Sequence, residues 1–557
     1  MNEEKQGLGP ESHESVPDPN DWGLIINPFV YGVASVLILI LIAMGIIMPD
    51  RMETVVTNIQ AFLAEYFGWF YIMTVAGILG FVIWLAFSRF GSIVLGPNDS
   101  EPAYNYFTWF TMLFSAGMGI GLLFYSVAEP LTHFSAPPIL PHGYTREAAQ
   151  QSFNLTYFHW GIHPWAVYCL VGVTLAYFGF RRGQPLTIRS AFYPLLGERV
   201  HGTAGNIIDV VAVVSTLFGV ATSLGLGVIQ VNRGLSYAFA DYGFELSVGP
   251  GVQIILIALI TAGATISVVL GLDVGIRRLS EWNISVAVVM AIVLLLIGPT
   301  LFIFNIFVQN LGYYVQNIIE TTMWTATYQD KEWLSDWTIF YWAWWIAWSP
   351  FVGMFIARIS RGRTIREFIA GAMLAPTLAT FAWMSIFGGS AIYVEMFGDP
   401  EIGLGEQVVQ DVDVALFALF EQFPFHQVTW IIAIVLIIGF FITSSDSASM
   451  VVSILTAGGH PEPPTVQRVY WAVLEGSVAA ILLWVGGLAA LQTGAITTGL
   501  PLAIVLVLMT VSLYKGLKQE RAVRLVPMFT PPEESYLSST ATDEDTTSSD
   551  DEEDEPR

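Results

Sequence analysis

Charged residues are scarce in this chain: they make up 12% of its 557 residues, whereas 54% are hydrophobic. Soluble globular proteins carry about 25% charged residues, so the composition excludes an ordinary soluble domain and predicts a membrane protein. Cysteine is nearly absent too, since Cys169 is the only one, and this excludes a disulfide within the chain. Residues 1–25 contain no basic segment followed by an apolar one, so we expect no signal peptide.

The sequence also lacks the motifs of nucleotide binding and catalysis. It has no glycine-rich phosphate loop, no metal ligands at a characteristic spacing and no polar stretch long enough for a catalytic domain. No nucleophile and base stand together in a recognisable pattern. We therefore expect a protein that is not an enzyme and has no cofactor and no nucleic-acid partner, so that an ion gradient would drive any uphill transport.

Basic residues are the scarcer charge type, at 22 Lys and Arg against 46 Asp and Glu, and the formal net charge is −24. Part of the acidic excess lies after Met528, where acidic residues are mixed with Ser, Thr and Pro and the only basic residue is Arg557. Such a segment cannot bury a core. We expect residues 516–557 to form an acidic, disordered cytoplasmic tail, either solvating or regulatory.

Long apolar runs are what the chain has in abundance. A helix needs about 20 mostly apolar residues to cross a bilayer, and the sequence predicts an all-α polytopic membrane protein with twelve such spans. The predicted spans are residues 29–49, 70–89, 106–128, 153–180, 206–230, 252–271, 284–308, 337–358, 369–394, 427–454, 467–490 and 494–515.

The basic residues concentrate in alternate loops, and the loops between these carry fewer. Because cytoplasmic loops are enriched in Lys and Arg, we expect a multi-pass protein of the cell membrane, in contact with lipid. Both termini, including residues 1–28, are then cytoplasmic. The residues that set this orientation are Arg181, Arg182, Arg189, Arg199, Arg277, Arg278, Arg358, Arg361, Arg363, Arg366, Arg468, Lys515, Lys518, Arg521 and Arg524.

Between the seventh and eighth spans, apolar residues recur at helical spacing from Leu311 to Met323, with polar residues between them. This pattern predicts an amphipathic helix over residues 309–330 that lies along the outer membrane surface. The alternative is a loop packed on the protein.

The third span contains three glycines at alternate positions, Gly117, Gly119 and Gly121. Glycine costs about 1 kcal/mol in a helix interior, so this run predicts an unwound or closely approached backbone. Secondary transporters use helices broken at mid-membrane to expose carbonyls to a cation and amide groups to a carboxylate. The alternative is close packing of small residues between helices.

Aromatic residues cluster at mid-membrane, where lipid contact does not require them. Anchoring tryptophans belong at the two membrane interfaces. Rings at mid-depth predict faces turned toward a ligand, and a quaternary ammonium suits such faces best. For the fourth span, ordinary aromatic packing is the alternative. The residues are Trp160, Trp165 and Tyr168 in the fourth span, and Trp342, Trp344, Trp345 and Trp348 in the eighth.

Hydroxyl groups gather in two spans. In the tenth span, Thr443 and Ser444 lie beside three further serines and Asp446, and oxygen ligands suit a hard cation such as Na⁺. We assign the cation to the first two residues and expect Asp446 to cap a helix or to pair with an Arg. In the fifth span, Ser215-Thr216 and Thr222-Ser223 suggest a second cation site, but hydrogen bonding within their own helix is the favoured alternative.

Together these segments resemble the betaine/choline/carnitine transporter family over about residues 20–520. The resemblance implies twelve helices, in which spans three to seven (106–308) and eight to twelve (337–515) form two inverted five-helix repeats, as in amino-acid/sodium symporters. Residues 29–89 stand outside the repeats as two peripheral helices, and family members are typically homotrimers. The motifs that carry the resemblance are Ala116–Gly121, Ala128–Pro130, His159–Trp165, Tyr341–Gly353 and Arg358–Arg363.

The resemblance also implies binding residues. A substrate box is implied for Trp160, Trp165, Tyr168 and Trp345, with Trp344 and Trp348 along the path. Backbone groups of Gly117, Met118, Gly119 and Gly121 are implied to meet the substrate's carboxylate. One Na⁺ is implied at Ser115, Met118, Phe440, Thr443 and Ser444. A second is implied at Thr216 and Phe351, although Val220 stands where another hydroxyl is expected.

Three residues narrow the expected substrate. Relatives that resemble choline carriers tend to have Asp at the last glycine of the third span, which here is Gly121, and carnitine exchangers tend to lack hydroxyls such as Thr443 and Ser444. We therefore expect glycine betaine, a compatible solute used in osmoregulation, to enter by Na⁺ symport and alternating access. The alternatives are import of choline, ectoine, dimethylsulfoniopropionate or proline betaine, and an uncoupled exchanger, channel or sensor.

Overall fold

The computed structural model describes residues 23–117, 119–270, 273–329 and 331–520, apart from the side chains of residues 114–117 and 273–277. Within these ranges the chain is helical and has no β-strand; an isolated antiparallel bridge joins Val94 and Thr364. The all-α prediction is confirmed for this part. Most of the predicted acidic tail lies outside it.

The described ranges contain eighteen α-helices. The first ten are α1 (Pro28–Ile47), α2 (Pro49–Phe87), α3 (Tyr106–Gly117), α4 (Ile120–Ser135), α5 (Arg146–Trp160), α6 (Ile162–Ala176), α7 (Tyr193–Leu196), α8 (Thr203–Ala240), α9 (Pro250–Val269) and α10 (Asp273–Ile297). The others are α11 (Thr300–Met323), α12 (Glu332–Leu334), α13 (Phe340–Arg358), α14 (Ile365–Phe397), α15 (Leu404–Gln410), α16 (Ala415–Glu421), α17 (His426–Thr456) and α18 (Thr465–Lys518).

Ten helical segments in the described ranges are long and apolar enough to cross a membrane. The most apolar stretches of α1, α9 and α10 bury about a third of their residues or fewer, whereas 94% of the most apolar stretch within residues 146–181 is buried. Apolar residues can face lipid without cost, so the exposed helices form an outer layer around a buried centre. The chain is therefore a multi-pass membrane protein.

Two features account for the difference between these ten segments and the twelve predicted spans. The third predicted span is divided into α3, of 12 residues, and α4, of 16 residues, and each is shorter than a bilayer requires. The eleventh and twelfth are joined in the 54-residue α18, whose backbone leaves the helical conformation only at Gly486 and Gly487.

The seventh predicted span, residues 284–308, does not form one helix. α10 ends at Ile297, and α11 begins at Thr300 and includes the segment predicted to be amphipathic. That segment is helical to Met323, which excludes the loop alternative. Its Tyr314 is buried, while Val315 and Ile319 are 62% and 79% exposed. Its position at the outer membrane surface stays a prediction.

The centre of the molecule is built around α13, which is buried on every side from Phe340 to Ala347. A helix that is apolar all round is suited to such a position. α13 packs against α6, α8 and α18, and α14 packs against α4 and α6. The aromatic part of α13 therefore faces the beginnings of α4 and α6.

Candidate functional site

The fourth predicted span is broken at Gly161, which separates α5 from α6. A β-carbon at this position would lie 2.4 Å from the carbonyl oxygen of Tyr157 and 2.9 Å from Cζ of Phe381. There is no room for a side chain, so the break needs glycine. It leaves Trp160 at the end of α5 and places Trp165 in the first turn of α6.

A cavity of about 460 Å³ lies where α4, α5, α6, α8, α13 and α14 meet. We call it the aromatic cavity. Eight of the ten residues predicted to bind substrate line it, and Leu122, Pro164, Ser223 and Thr380 complete the lining. The eight are Gly119, Gly121, Trp160, Trp165, Tyr168, Trp344, Trp345 and Trp348.

Of the other two predicted substrate residues, Gly117 ends α3. Met118 lies outside the described residues. The structure thus brings eight of the ten predicted residues together, while the binding role of each residue stays a prediction.

The rings around the aromatic cavity meet at steep angles. Trp160 and Trp345 have centroids 4.9 Å apart with planes at 70°, and Tyr168 and Trp345 have centroids 6.5 Å apart at 81°. Trp344 stacks on Trp345 at 4.6 Å and 15°. All of these rings are buried. Steeply inclined rings around one space present several electron-rich faces to it, which is the arrangement that attracts a cation without N–H groups.

Hydrogen bonds fix three of the indoles. The Nε1–H of Trp345 donates to the carbonyl of His159 at 3.0 Å, and that of Trp344 donates to the carbonyl of Gly219 at 3.2 Å. Trp160 donates to Oε2 of Glu129 at 2.7 Å. Among the described residues, the buried Nε1–H of Trp348 has no partner.

The break in the third predicted span lies beside these rings. Gly119 is extended between α3 and α4. A β-carbon on Gly121 would lie 2.7 Å from Cη2 of Trp344 and 3.0 Å from Cη2 of Trp160, so glycine lets the start of α4 reach both indoles. The first amide groups of a helix have no partner within it, and its N-terminus carries partial positive charge. This helix end suits a carboxylate.

A second cavity of about 660 Å³ shares Trp348 with the aromatic cavity. We call it the hydroxyl cavity. Of the residues predicted to hold Na⁺, it gathers Phe440, Thr443, Ser444 and Phe351, and its lining also includes Ser280 and Ser447. The side chain of Ser115, like all of Met118, lies outside the described part, so the prediction for these two residues stays open.

The remaining hydroxyl predictions have mixed outcomes. Thr216 is buried on α8, donates to the carbonyl of Ala212 at 2.7 Å and lines neither cavity. Thr222 and Ser223 donate within the same helix to the carbonyls of Phe218 and Gly219, as the favoured alternative predicts, whereas Ser215 donates to the carbonyl of Thr498 in α18 at 2.7 Å. The prediction for Asp446 is also confirmed, because its Oδ1 pairs with Nη2 of Arg468 at 3.0 Å.

The sequence did not reveal a buried polar cluster behind the rings. One ligand-type atom from each of Glu129, His133 and His159 lies within 4.8 Å of the others. Glu129 and His159 belong to motifs that carry the family resemblance, and Glu129 and His133 are four residues apart and so on one helix face. His159 comes from another helix, and only the fold places it there. Ser223 was considered only as part of a possible second cation site, and Thr380 was missed.

Comparison with known proteins agrees with this geometry. Residues 29–522 match the family described as BCCT, betaine/carnitine/choline family transporter. A glycine betaine transporter of Vibrio parahaemolyticus is 44% identical over 509 residues, which cover 90% of this chain and 95% of that protein. For a glycine betaine transporter of Bacillus subtilis the identity is 43% over 480 residues, covering 86% and 92%.

A glycine betaine/proline/choline/ectoine transporter of Vibrio parahaemolyticus is 43% identical over 508 residues, covering 90% of this chain and 88% of that protein. The family match spans most of the chain, and the relatives are named as transporters, not enzymes. The chain therefore belongs to the betaine/carnitine/choline transporter family and carries a small molecule across a membrane.

Proposed function

We propose that this transporter imports glycine betaine together with Na⁺ by alternating access, and that its role is osmoregulation. The observation that carries the proposal is the aromatic cavity. Buried ring faces surround it, and its described lining residues include no carboxylate. The names of two relatives as glycine betaine transporters support the same substrate.

The trimethylammonium end of betaine has no N–H to donate, so hydrogen-bond acceptors would gain little by facing it. Ring faces compensate for the hydration that it loses, each by up to about 2 kcal/mol when water is excluded. Trp160, Trp345 and Tyr168 supply such faces.

The carboxylate end of betaine requires donors. The start of α4 at Ile120 offers free amide groups, and Trp348, whose buried Nε1–H has no partner among the described residues, belongs to the same lining. With Gly121 in place of an acidic residue, nothing described in the lining repels this end. A zwitterion therefore suits the cavity better than choline, which has no carboxylate for these donors.

We assign Na⁺ to the hydroxyl cavity. Thr443 donates its hydroxyl hydrogen to the carbonyls of Gly439 and Phe440, at 3.1 and 3.3 Å, which leaves its oxygen lone pairs for a cation. Ser444 and the backbone of Phe440 supply further oxygens. Trp348 lines both cavities, so substrate and ion would contact the same residue.

We also propose twelve spans in two inverted repeats, cytoplasmic termini and a homotrimer. Contacts among the loops expected in the cytoplasm support their placement on one common side of the membrane. Nη1 of Arg181 donates to the carbonyl of Gly96 at 2.9 Å, its Nε donates to Glu520 at 2.5 Å, and the amide of Leu95 donates to the carbonyl of Arg363 at 2.8 Å. These loops therefore meet at one end of the molecule.

The direct test is uptake of radiolabelled betaine into proteoliposomes with and without an inward Na⁺ gradient. We expect accumulation above equilibrium only with the gradient. Uptake that ignores Na⁺ would defeat the symport proposal, and absence of accumulation would favour a channel or sensor. Choline, ectoine, proline betaine and dimethylsulfoniopropionate, each added as competitor, separate glycine betaine from its rivals.

A further inference from the structure

The carboxylate of Glu129 is buried in α4 and surrounded by hydrogen-bond donors. Nδ1 of His159 lies 2.6 Å from its Oε1. The other oxygen, Oε2, accepts from Nε1 of Trp160 at 2.7 Å and from the hydroxyl of Tyr341 at 2.5 Å. Nε2 of His133 lies 3.5 Å from Oε1. One carboxylate thus gathers side chains from α4, α5 and α13.

Glu129, His133 and His159 are residue types that bind metal ions, but their hydrogen bonds are not compatible with a bound metal. Nε1 of Trp333 lies 3.3 Å from Nδ1 of His133, and an indole nitrogen can only donate. Nδ1 of His133 is therefore unprotonated and Nε2 carries the proton, so Nε2 is not free to bind a metal. His159 and Glu129 are already joined by a short hydrogen bond, which leaves no space for an ion between them.

The donors that converge on Glu129 are linked to the substrate box. Trp160 belongs to the box, and Tyr341 stacks on Trp345 with ring centroids 5.6 Å apart and planes at 22°. The carbonyl of His159 holds the indole of Trp345. Hydrogen bonds to a carboxylate are roughly twice as strong as hydrogen bonds between neutral groups. The angle between the Trp160 and Trp345 faces therefore depends on this one buried group.

We propose that Glu129 is a positioning residue: its carboxylate holds Trp160 and Tyr341 so that the box rings are set for a methylated ammonium. The inference rests on the proposed function, since the box has this task only if the substrate carries such a group. Glu129 itself does not line the aromatic cavity, so it acts through the indole and not by contact with substrate.

A double-mutant cycle on the full-length protein tests this with the Kd of radiolabelled glycine betaine at saturating Na⁺. Glu129→Gln presents an amide hydrogen to one of the donors, and Trp160→Phe keeps a ring but removes the N–H. Each single change should raise the Kd by about tenfold or more, as loss of a hydrogen bond to a charged group does. The double variant should resemble the worse single variant, because both changes remove the same bond.

Glu395→Gln is the matched control, since Glu395 accepts from the amide of Gly405 at 2.9 Å and touches no box residue; its Kd should equal that of the wild type. If Glu129→Gln does not fold, Tyr341→Phe removes a bond to the same oxygen and should also raise the Kd.

The positioning role alone would be overturned if the wild-type protein binds betaine but the effects of Glu129→Gln and Trp160→Phe on the binding free energy add in the double variant. An unchanged Kd for Tyr341→Phe would overturn it as well. Zinc that copurifies with the protein, together with loss of binding in a chelator, would overturn it in favour of a metal centre. A wild-type protein that binds no betaine would overturn the proposed function, and this inference with it.

Discussion

At the scale of the residue, Trp345 connects the rings of the proposed box. It contacts Trp160, Tyr168, Trp344 and Tyr341. Trp345→Ala removes one ring face and loosens the others, so we expect betaine affinity to fall by roughly 30-fold, which corresponds to about 2 kcal/mol for a desolvated cation–π contact. Equilibrium binding of radiolabelled betaine measures this.

The matched control for Trp345→Ala is Trp69→Ala, which removes a tryptophan of α2 that is 59% exposed. It should leave betaine affinity unchanged. An unaltered affinity in the Trp345 variant would mean that the rings pack against one another without holding substrate.

The hydroxyls of Thr443 and Ser444 make a separate prediction at this scale. Thr443→Ala and Ser444→Ala each remove one oxygen ligand, so the Na⁺ concentration for half-maximal uptake should rise about tenfold, as expected for one charge-assisted contact. Ser477→Ala is the control, because Ser477 donates to the carbonyl of Val473 in its own exposed helix turn. An equal Na⁺ requirement in all three variants would place the ion elsewhere.

The sequence predicted the rings of the site but not the groups that hold them. Trp160, Trp165, Tyr168 and Trp345 stand out because aromatic residues at mid-membrane are unusual. Glu129 does not stand out, since its role depends on donors that come from other helices. A residue type signals chemistry by itself, whereas a convergence of three helices exists only after folding.

At the scale of the element, the break at Gly161 sets the angle between α5 and α6. In Gly161→Ala the new methyl group would meet the Tyr157 carbonyl oxygen, so we expect a loss of about 1–3 kcal/mol, typical of overpacking, and weaker betaine binding as Trp160 and Trp165 shift. Thermal unfolding in detergent, with the binding assay beside it, measures both effects.

Gly77→Ala on α2 provides the comparison, because a β-carbon there meets nothing within 4 Å. It should stabilise the protein by about 0.5–1 kcal/mol, as Ala does in an open helix position, with unchanged binding. Wild-type stability and affinity in Gly161→Ala would show that the break does not determine the box.

Breaks within spans were predictable where several glycines cluster, but not where a single glycine makes the break, as Gly161 does between α5 and α6. Gly117, Gly119 and Gly121 indicated a break in the third span, and α3 and α4 are separated there. Gly486 and Gly487 interrupt α18 without a loop, and apolar content alone cannot distinguish a kink between two helices from a connection between two spans. The same ambiguity misplaced the boundary between α10 and α11.

At the scale of the whole molecule, the proposed function is a conversion of free energy. One Na⁺ moving down 100 mV releases about 2.3 kcal/mol, and a tenfold Na⁺ gradient adds about 1.4 kcal/mol. One coupled ion therefore supports roughly 500-fold accumulation and two support roughly 10⁵-fold. Glycine betaine has no net charge, so the membrane potential acts only on the ions that accompany it.

Because only the coupled ions carry net charge, the response of betaine accumulation to the membrane potential reports how many ions are coupled. No single residue determines this response. When an inside-negative potential of about 100 mV is imposed on proteoliposomes at a fixed Na⁺ gradient, the steady-state betaine ratio should rise about 50-fold for each coupled ion. A potassium gradient with valinomycin sets the potential, and protein-free liposomes are the control. A ratio that does not respond would identify an electroneutral exchanger. A rise of about 50-fold would limit coupling to one ion. That outcome would be consistent with Val220 in place of a hydroxyl and with Thr216 lining neither cavity. A rise near the square of 50-fold would require a second ion site.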